Sequence, residues 1–296
     1  MGSIRTTCPL CGSSAHETVY DLTATQSSED VPGLVVRCRA CPMWFKVLTD
    51  PDGIPTAYPG EYGDDALAAA YLVSSAARSL FLRVLAGVQV NSFGAMPRLL
   101  DIGAAQGALL EEAARMGFAA EGVDHCEANV SAARSKGLAV THAAAEDLSV
   151  RDTFDVITMM DIIEHLQDPL GVLRMAYRGL KPGGELVVYT PNHRAAVVVL
   201  SKVLHAAGIR YPVQEIFGRN HLVFFDDRSL PLALEKAGFE VRVQQLFPYD
   251  TARPGQVVSP VNLAVVGCAE WLGKPFNRVF RMLVYARKPA RRDIGP

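Results

Sequence analysis

From Arg98 to Thr190, short apolar runs alternate with stretches of helical periodicity, and this alternation restricts the fold more than any other feature of the chain. Strands are expected at Arg98–Ile102, Ala119–Asp124, Leu138–His142, Phe154–Met160 and Glu185–Thr190, with helices between them at Ala108–Met116, Ala128–Lys136 and Pro169–Gly179. Strand–helix alternation of this kind predicts an α/β fold built on a doubly wound, mostly parallel sheet. A further strand is expected at Asn277–Lys288, followed by a solvated basic tail from Arg287 to Arg292.

Four of the six cysteines form two tight pairs, Cys8-Pro-Leu-Cys11 and Cys38-Arg-Ala-Cys41. Two residues between sulfurs let one turn aim both thiolates at a cation, and two such turns complete a tetrahedral set. The pattern predicts a small N-terminal zinc-ribbon-like module with a hairpin of His16–Tyr20 and Gly33–Arg37, redox-active pairs being the alternative. All four ligands come from the protein, so the zinc is expected to be structural. Cys126 and Cys268 read as packing residues. Lys and Arg total 29 against 31 Asp and Glu, a formal net charge of −2. That balance lacks the basic footprint of a nucleic-acid binder. No apolar run is long enough to span a bilayer, and the first residues lack the apolar core of a secretory signal, so a cytoplasmic location is expected.

The first strand runs into Asp101-Ile102-Gly103-Ala104-Ala105-Gln106-Gly107, and Asp124 closes the second strand. Glycines at 103 and 107 allow a tight turn and close backbone approach to a ligand, while an acid ending the next strand suits ribose hydroxyls. From these parts alone, a nicotinamide dehydrogenase fits as well as a methyltransferase.

The ordered set is more specific. DIGAAQG resembles the DxGxxxG loop of class I (Rossmann-like) S-adenosylmethionine-dependent methyltransferases. GVD at 122–124, Ala145-Glu146-Asp147-Leu148, Phe154-Asp155-Val156-Ile157 with Glu164-His165-Leu166, Leu180-Lys181-Pro182-Gly183-Gly184 and Thr190-Pro191-Asn192 follow in that family's order, the likeness covering roughly residues 58–245. The resemblance implies a seven-stranded sheet and S-adenosylmethionine as cofactor. Asp101, Gly103, Ala104, Gln106 and Gly107 would surround its methionine end. Asp124 would hold the ribose, and His125, Ala145 and Glu146 would lie along the adenine. Met160 and Tyr62 would border the cofactor, Tyr62 and Tyr58 as part of a lid. Two positions depart from the pattern. Ala105 stands where glycine is frequent and requires a negative φ, and Ala144 stands where an acid often meets the adenine amine. Paired CxxC modules also precede this domain in some bacterial sugar and natural-product methyltransferases.

Asp161, Glu164 and His165 fall at i, i+3 and i+4 and share a face if the segment turns helically. Two carboxylates and an imidazole suit Mg2+ or another divalent ion. The pattern is similar to the ExxEH site of metal-assisted O-methyltransferases acting on ubiquinone precursors and RNA 2′-hydroxyls, which add a histidine after the fifth strand. His221 holds a comparable place here. Three readings stay open at this stage: a divalent ion, His165 or His221 as a metal-free base, and positioning of substrate alone. His193 is a third candidate base, while His142 and His205 receive no role.

The expected organisation is a zinc module at 1–53, a connector with a long helix at Asp64–Val90 forming a cofactor lid within 54–95, and the methyltransferase domain at 96–296. Apolar stretches near 193–225 and 250–275, including Ala195–Leu200 and Val257–Leu272, are expected to cover substrate or to pack against the sheet or a dimer partner. The reading is O-methylation of a small acceptor with apolar character in natural-product, lipid or sugar metabolism. Alternatives are C- or N-methylation of a nucleotide-linked sugar and an RNA-binding zinc-ribbon protein.

Overall fold

The computed structural model describes residues 6–23, 31–49, 74–89, 96–218, 220–248 and 260–290. Three antiparallel strands open the chain: β1 (His16–Leu22), β2 (Gly33–Cys38) and β3 (Trp44–Leu48). After helix α1 (Ser75–Ala86) comes the alternating region: β4 (Arg98–Ile102), α2 (Ala108–Arg115), β5 (Ala119–Asp124), α3 (Glu127–Ser135), β6 (Val140–His142), β7 (Phe154–Met160), α4 (Pro169–Gly179) and β8 (Leu180–Pro191). Then follow α5 (Ala196–Ala206), β9 (Val223–Phe224), α6 (Ser229–Ala237), β10 (Glu240–Phe247), α7 (Pro260–Gly273) and β11 (Arg281–Arg287).

The large sheet has seven strands in the order β10-β11-β8-β7-β4-β5-β6. Strands β8, β7, β4, β5 and β6 run parallel, and β11 lies antiparallel between β8 and β10. Central strands carry continuous apolar runs because both faces are covered: Leu99, Leu100 and Ile102 of β4 and Val156, Ile157 and Met159 of β7 are all buried. Asp168 caps α4 by accepting the Gly171 N–H at 2.9 Å, with Pro169 preset for the first turn.

The small sheet is not confined to the N-terminal residues. Its order is β1-β2-β3-β9, so a strand from beyond β8 completes it, pairing Trp44 with Phe224 and Phe45 with Val223. Both of its faces are buried. Cys8, Leu10, Val36, Cys38, Met43 and Phe45 share one apolar cluster with Leu173 of α4 and Leu230 and Leu234 of α6. On the other face Tyr20, Leu22 and Val35 pack with Ala195, Val198 of α5 and Phe217.

Several boundaries differ from expectation. The third strand of the alternation is only Val140–His142, and β8 extends back to Leu180. The last strand begins at Arg281 rather than Asn277, because residues 274–276 form a single turn and Asn277 takes φ 53°. Helix α1 is capped at Ser74, whose hydroxyl accepts the Ala77 N–H at 3.2 Å, while the expected start of this helix at Asp64 lies outside the described residues. Strands β3, β9 and β10 and helix α6 were not anticipated. No helix among the described residues is long and apolar enough to cross a membrane.

Candidate active site

The carboxyl ends of β4, β5 and β7 meet at one edge of the sheet, where ligands of open α/β folds bind. Leaving β4, the chain turns through Gly103 (φ 79°) and Gly107 (φ 81°), and a Cβ at 107 would run into the Leu138 side chain. Glycine is therefore required there on both backbone and packing grounds. Ala105 does not keep the negative φ expected of it; it sits at φ 45°. Its N–H donates to the Asp124 carboxylate at 2.8 Å, and the other carboxylate oxygen accepts the Cys126 N–H at 2.9 Å. The carboxylate is thus fixed by the backbone, and each oxygen keeps a lone pair for a ligand.

Asp101 is buried and accepts the Thr158 hydroxyl at 2.6 Å. Burial first, and the nearby Asp124 charge second, push its carboxyl up to about 7. Ala104 is buried beside it, and the Gln106 carbonyl accepts the Lys136 ammonium at 3.0 Å. The His125 carbonyl meets a His142 ring nitrogen at 2.9 Å, Ala145 and Glu146 lie on one turn after β6 with Glu146 exposed, and Met160 ends β7. Tyr58 and Tyr62 lie outside the described residues.

Beyond β7 the arrangement departs from the expected helical face. Asp161 takes φ 51°, its N–H donates to the Tyr189 carbonyl at 2.8 Å, and its carboxylate pairs with Arg281. The Arg281 guanidinium also lies 5.3 Å above the Tyr189 ring. The left-handed residue breaks the helical spacing, and the Arg281 charge occupies Asp161. The ligand atoms that do converge, within 4.8 Å of one another, belong to Glu164, His165 and His221. Arg281 was missed in the sequence; its signal was a cation opening the apolar run Met282–Ala286.

His221 reaches this trio through backbone pairing. Lys46 of β3 donates its N–H to the Leu222 carbonyl at 2.9 Å, and Leu222 donates its own N–H to the Glu164 carbonyl at 2.8 Å. The rings of His165 and His221 stand 4.8 Å apart, edge to face. Burial pushes His165 down to about 4 and His221 well below the ordinary imidazole value, so both are uncharged at neutral pH. Glu164 accepts the Thr190 hydroxyl at 2.8 Å and is pushed up to about 8, mainly by burial and then by Asp161. His221 Nδ1 is buried with no hydrogen-bond partner among the described residues. An unpartnered imidazole nitrogen on a residue that converges with Glu164 and His165 fits a divalent cation, which would hold Glu164 as the carboxylate. His193 is placed otherwise: its ring meets the Phe225 carbonyl at 3.1 Å and packs on Phe217 and Phe224.

At the other end of the small sheet the four cysteine sulfurs also lie within 4.8 Å of one another. Contacts of 3.5 Å (Cys8–Cys41) and 3.6 Å (Cys11–Cys38) run between the two knuckles. Zn–S bonds of about 2.3 Å in a tetrahedron separate sulfurs by ~3.8 Å, so the cluster fits a structural zinc.

Residues 72–244 match the family described as "Methyltransferase domain". The ubiquinone biosynthesis O-methyltransferase of Caulobacter sp. (strain K31) is 38% identical over 114 residues, 36% of this chain and 45% of the relative. The same-named protein of Ruegeria pomeroyi is 41% identical over 102 residues, 32% of this chain and 41% of the relative. The chain thus spans less than half the length of these curated relatives. Among solved structures, a chain from the complex of the Haloferax volcanii Trm112 methyltransferase activator with a methyltransferase superposes with TM-score 0.53 at 18% identity, over 74% of this chain and 96% of that one, a likeness of fold.

Proposed function

The chain belongs to the methyltransferase-domain family, and from that premise we propose that it transfers the methyl group of S-adenosylmethionine to a hydroxyl of a small acceptor. The observation that carries this reading is the meeting of two groups at one sheet edge: the 103–107 turn locked to Asp124, and the Glu164–His165–His221 trio one strand away. The name shared by the curated relatives supports oxygen as the accepting atom.

S-adenosylmethionine supplies a methyl group on a sulfonium, open to in-line displacement. The protein's part is to align the acceptor and draw off its proton. The Asp124 carboxylate, already oriented by the Ala105 and Cys126 N–H groups, would accept from the ribose hydroxyls. Asp101 would lie toward the cationic methionine end. Glu164, His165 and His221 would hold a divalent cation, whose Lewis acidity would polarise the acceptor hydroxyl. Imidazoles held uncharged, with His165 near 4, are good ligands but weak bases at neutral pH. The convergence of Glu164, His165 and His221, with His221 Nδ1 unpartnered among the described residues, favours the cation over a metal-free histidine base.

The test is incubation with methyl-labelled S-adenosylmethionine and a panel of hydroxylated acceptors. Label transfer that stops in a mild chelator, with the cysteine-bound zinc retained, and returns with Mg2+ is the expected result. Transfer at full rate in chelator contradicts the cation, and label on nitrogen or carbon contradicts the choice of oxygen.

A further inference from the structure

The sulfur contacts of 3.5 Å (Cys8–Cys41) and 3.6 Å (Cys11–Cys38) run between the two knuckles. Cys8 and Cys38 are buried, whereas Cys11 and Cys41 are only half-buried. A cleft of about 540 Å³ opens against the first knuckle, and Cys8, Cys11, Asp168, Arg174 and Lys236 are among the residues that line it. Arg174 of α4 and Lys236 of α6 are exposed, and neither pairs with an acid among the described residues. The Asp168 carboxylate is engaged by the Gly171 N–H at 2.9 Å. Cations beside a sulfur favour the thiolate, and they stabilise the hydroxide that leaves when the thiolate is oxidised.

Backbone bonds run from the second knuckle to the Glu164–His165–His221 trio. The Cys38 N–H donates to the Met43 carbonyl at 2.9 Å, which closes that knuckle at the start of β3. Strand β3 then holds β9 through Trp44–Phe224 and Phe45–Val223, and Leu222 bonds both Lys46 and Glu164. A metal tying sulfurs from two segments contributes directly to folding free energy, so its loss loosens what those segments hold.

We propose that the cysteine cluster is a redox switch: a hydroperoxide entering through the cleft oxidises the Cys11–Cys38 pair, expels zinc and disengages His221. The Cys11 thiolate attacks a peroxide oxygen, an S–O bond forms, the O–O bond breaks, and the leaving hydroxide takes a proton to become water. The Cys38 thiolate then attacks the sulfenic sulfur, the S–S bond forms, and the second oxygen leaves as water after protonation. The two sulfurs give up two electrons and the peroxide takes both. Zinc departs as Zn2+, and the thiolates of Cys8 and Cys41 take up protons. Zinc binding and redox chemistry are thus two states of one cluster.

The test treats the full, zinc-loaded chain with hydrogen peroxide at doses that oxidise the exposed Cys268. Expected are zinc release to a chelating dye, a Cys11–Cys38 disulfide in peptide mass mapping and faster hydrogen exchange at the Leu222 N–H. Acceptor turnover should fall about tenfold or more while S-adenosylmethionine affinity is unchanged. A thiol reductant with added zinc should restore all of these, which methionine oxidation would not allow. The double substitution Arg174→Met, Lys236→Met should slow zinc release severalfold and leave the melting temperature unchanged. Methyl transfer enters only through the turnover reading, so failure of the proposed function leaves the zinc, disulfide and exchange readings intact. The proposal is overturned if zinc is retained, if disulfides form only within each knuckle, or if Leu222 exchange is unchanged after release. A release rate that the double substitution does not alter overturns the cleft as the route.

Discussion

Leu222 and Glu164 are joined by a backbone hydrogen bond of 2.8 Å, and the Leu222 carbonyl accepts in turn from Lys46 of the cysteine-bearing sheet. Three distant parts of the chain are thereby stitched together beside the His165–His221 pair. The cysteine knuckles share their apolar cluster with α4 and α6, so the fold of the module and the placement of His221 depend on each other.

This coupling separates two properties of the site. Replacing Cys38 with Ser should lower zinc content and acceptor turnover while leaving cofactor affinity nearly unchanged, because the 103–107 turn and Asp124 are carried by strands of the large sheet, to which the small sheet is not hydrogen-bonded. Zinc content, turnover and calorimetric cofactor affinity measured on one preparation check this. Equal loss of turnover and affinity would contradict it.

The Asp161–Arg281 pair is the second lever. Both side chains are largely withdrawn from solvent, and removing one partner leaves a charge in poor surroundings. Arg281→Ala should lower stability by about 3 kcal/mol in denaturant unfolding. Arg281→Met with Asp161→Asn should recover part of that loss, and no recovery would mean the cost is packing rather than charge.

Ala105 holds a left-handed backbone that alanine adopts at a cost of about 1 kcal/mol. Ala105→Gly should therefore raise stability slightly or leave it unchanged, by roughly 0–1 kcal/mol. Gly107→Ala should do the reverse, since its Cβ meets Leu138 and its φ is 81°. Thermal melts of the two variants should move in opposite directions; a shared direction contradicts the backbone assignment.

The pH dependence has two opposing parts. Asp101 is raised from 3.8 to about 7, so its contribution to stability is full below about 3.8 and is lost as pH rises through about 7. His165 and His193 are lowered from 6.5 to about 4, so theirs is present above about 6.5 and lost as pH falls through about 4. Asp101→Asn should remove the first slope and leave the second. A cationic ligand beside Asp101 favours its ionised form, so cofactor binding between about pH 5 and 7 should release a proton. Binding heats that do not change between buffers of different ionisation enthalpy would contradict this.

The alternating strands were legible because β4 and β7 carry apolar runs bounded by turns, and the glycine turn announces itself by residue type. The cysteine cluster was legible from spacing alone. What spacing could not reveal was long-range pairing. Two residues, Val223 and Phe224, are too short a strand to carry a pattern, yet they extend the small sheet and bring His221 to His165. The helical-face argument for Asp161 failed because one left-handed residue, held by the Tyr189 carbonyl and by Arg281 from the far end of the chain, reverses the local path.

The most direct measurement is titration calorimetry of the purified chain with S-adenosylmethionine and with its demethylated product. The account predicts saturable binding of both, weakened about tenfold or more by Asp124→Ala, which removes the carboxylate that the Ala105 and Cys126 N–H groups hold in place. No heat with either compound, or an affinity that Asp124→Ala does not change, would contradict it.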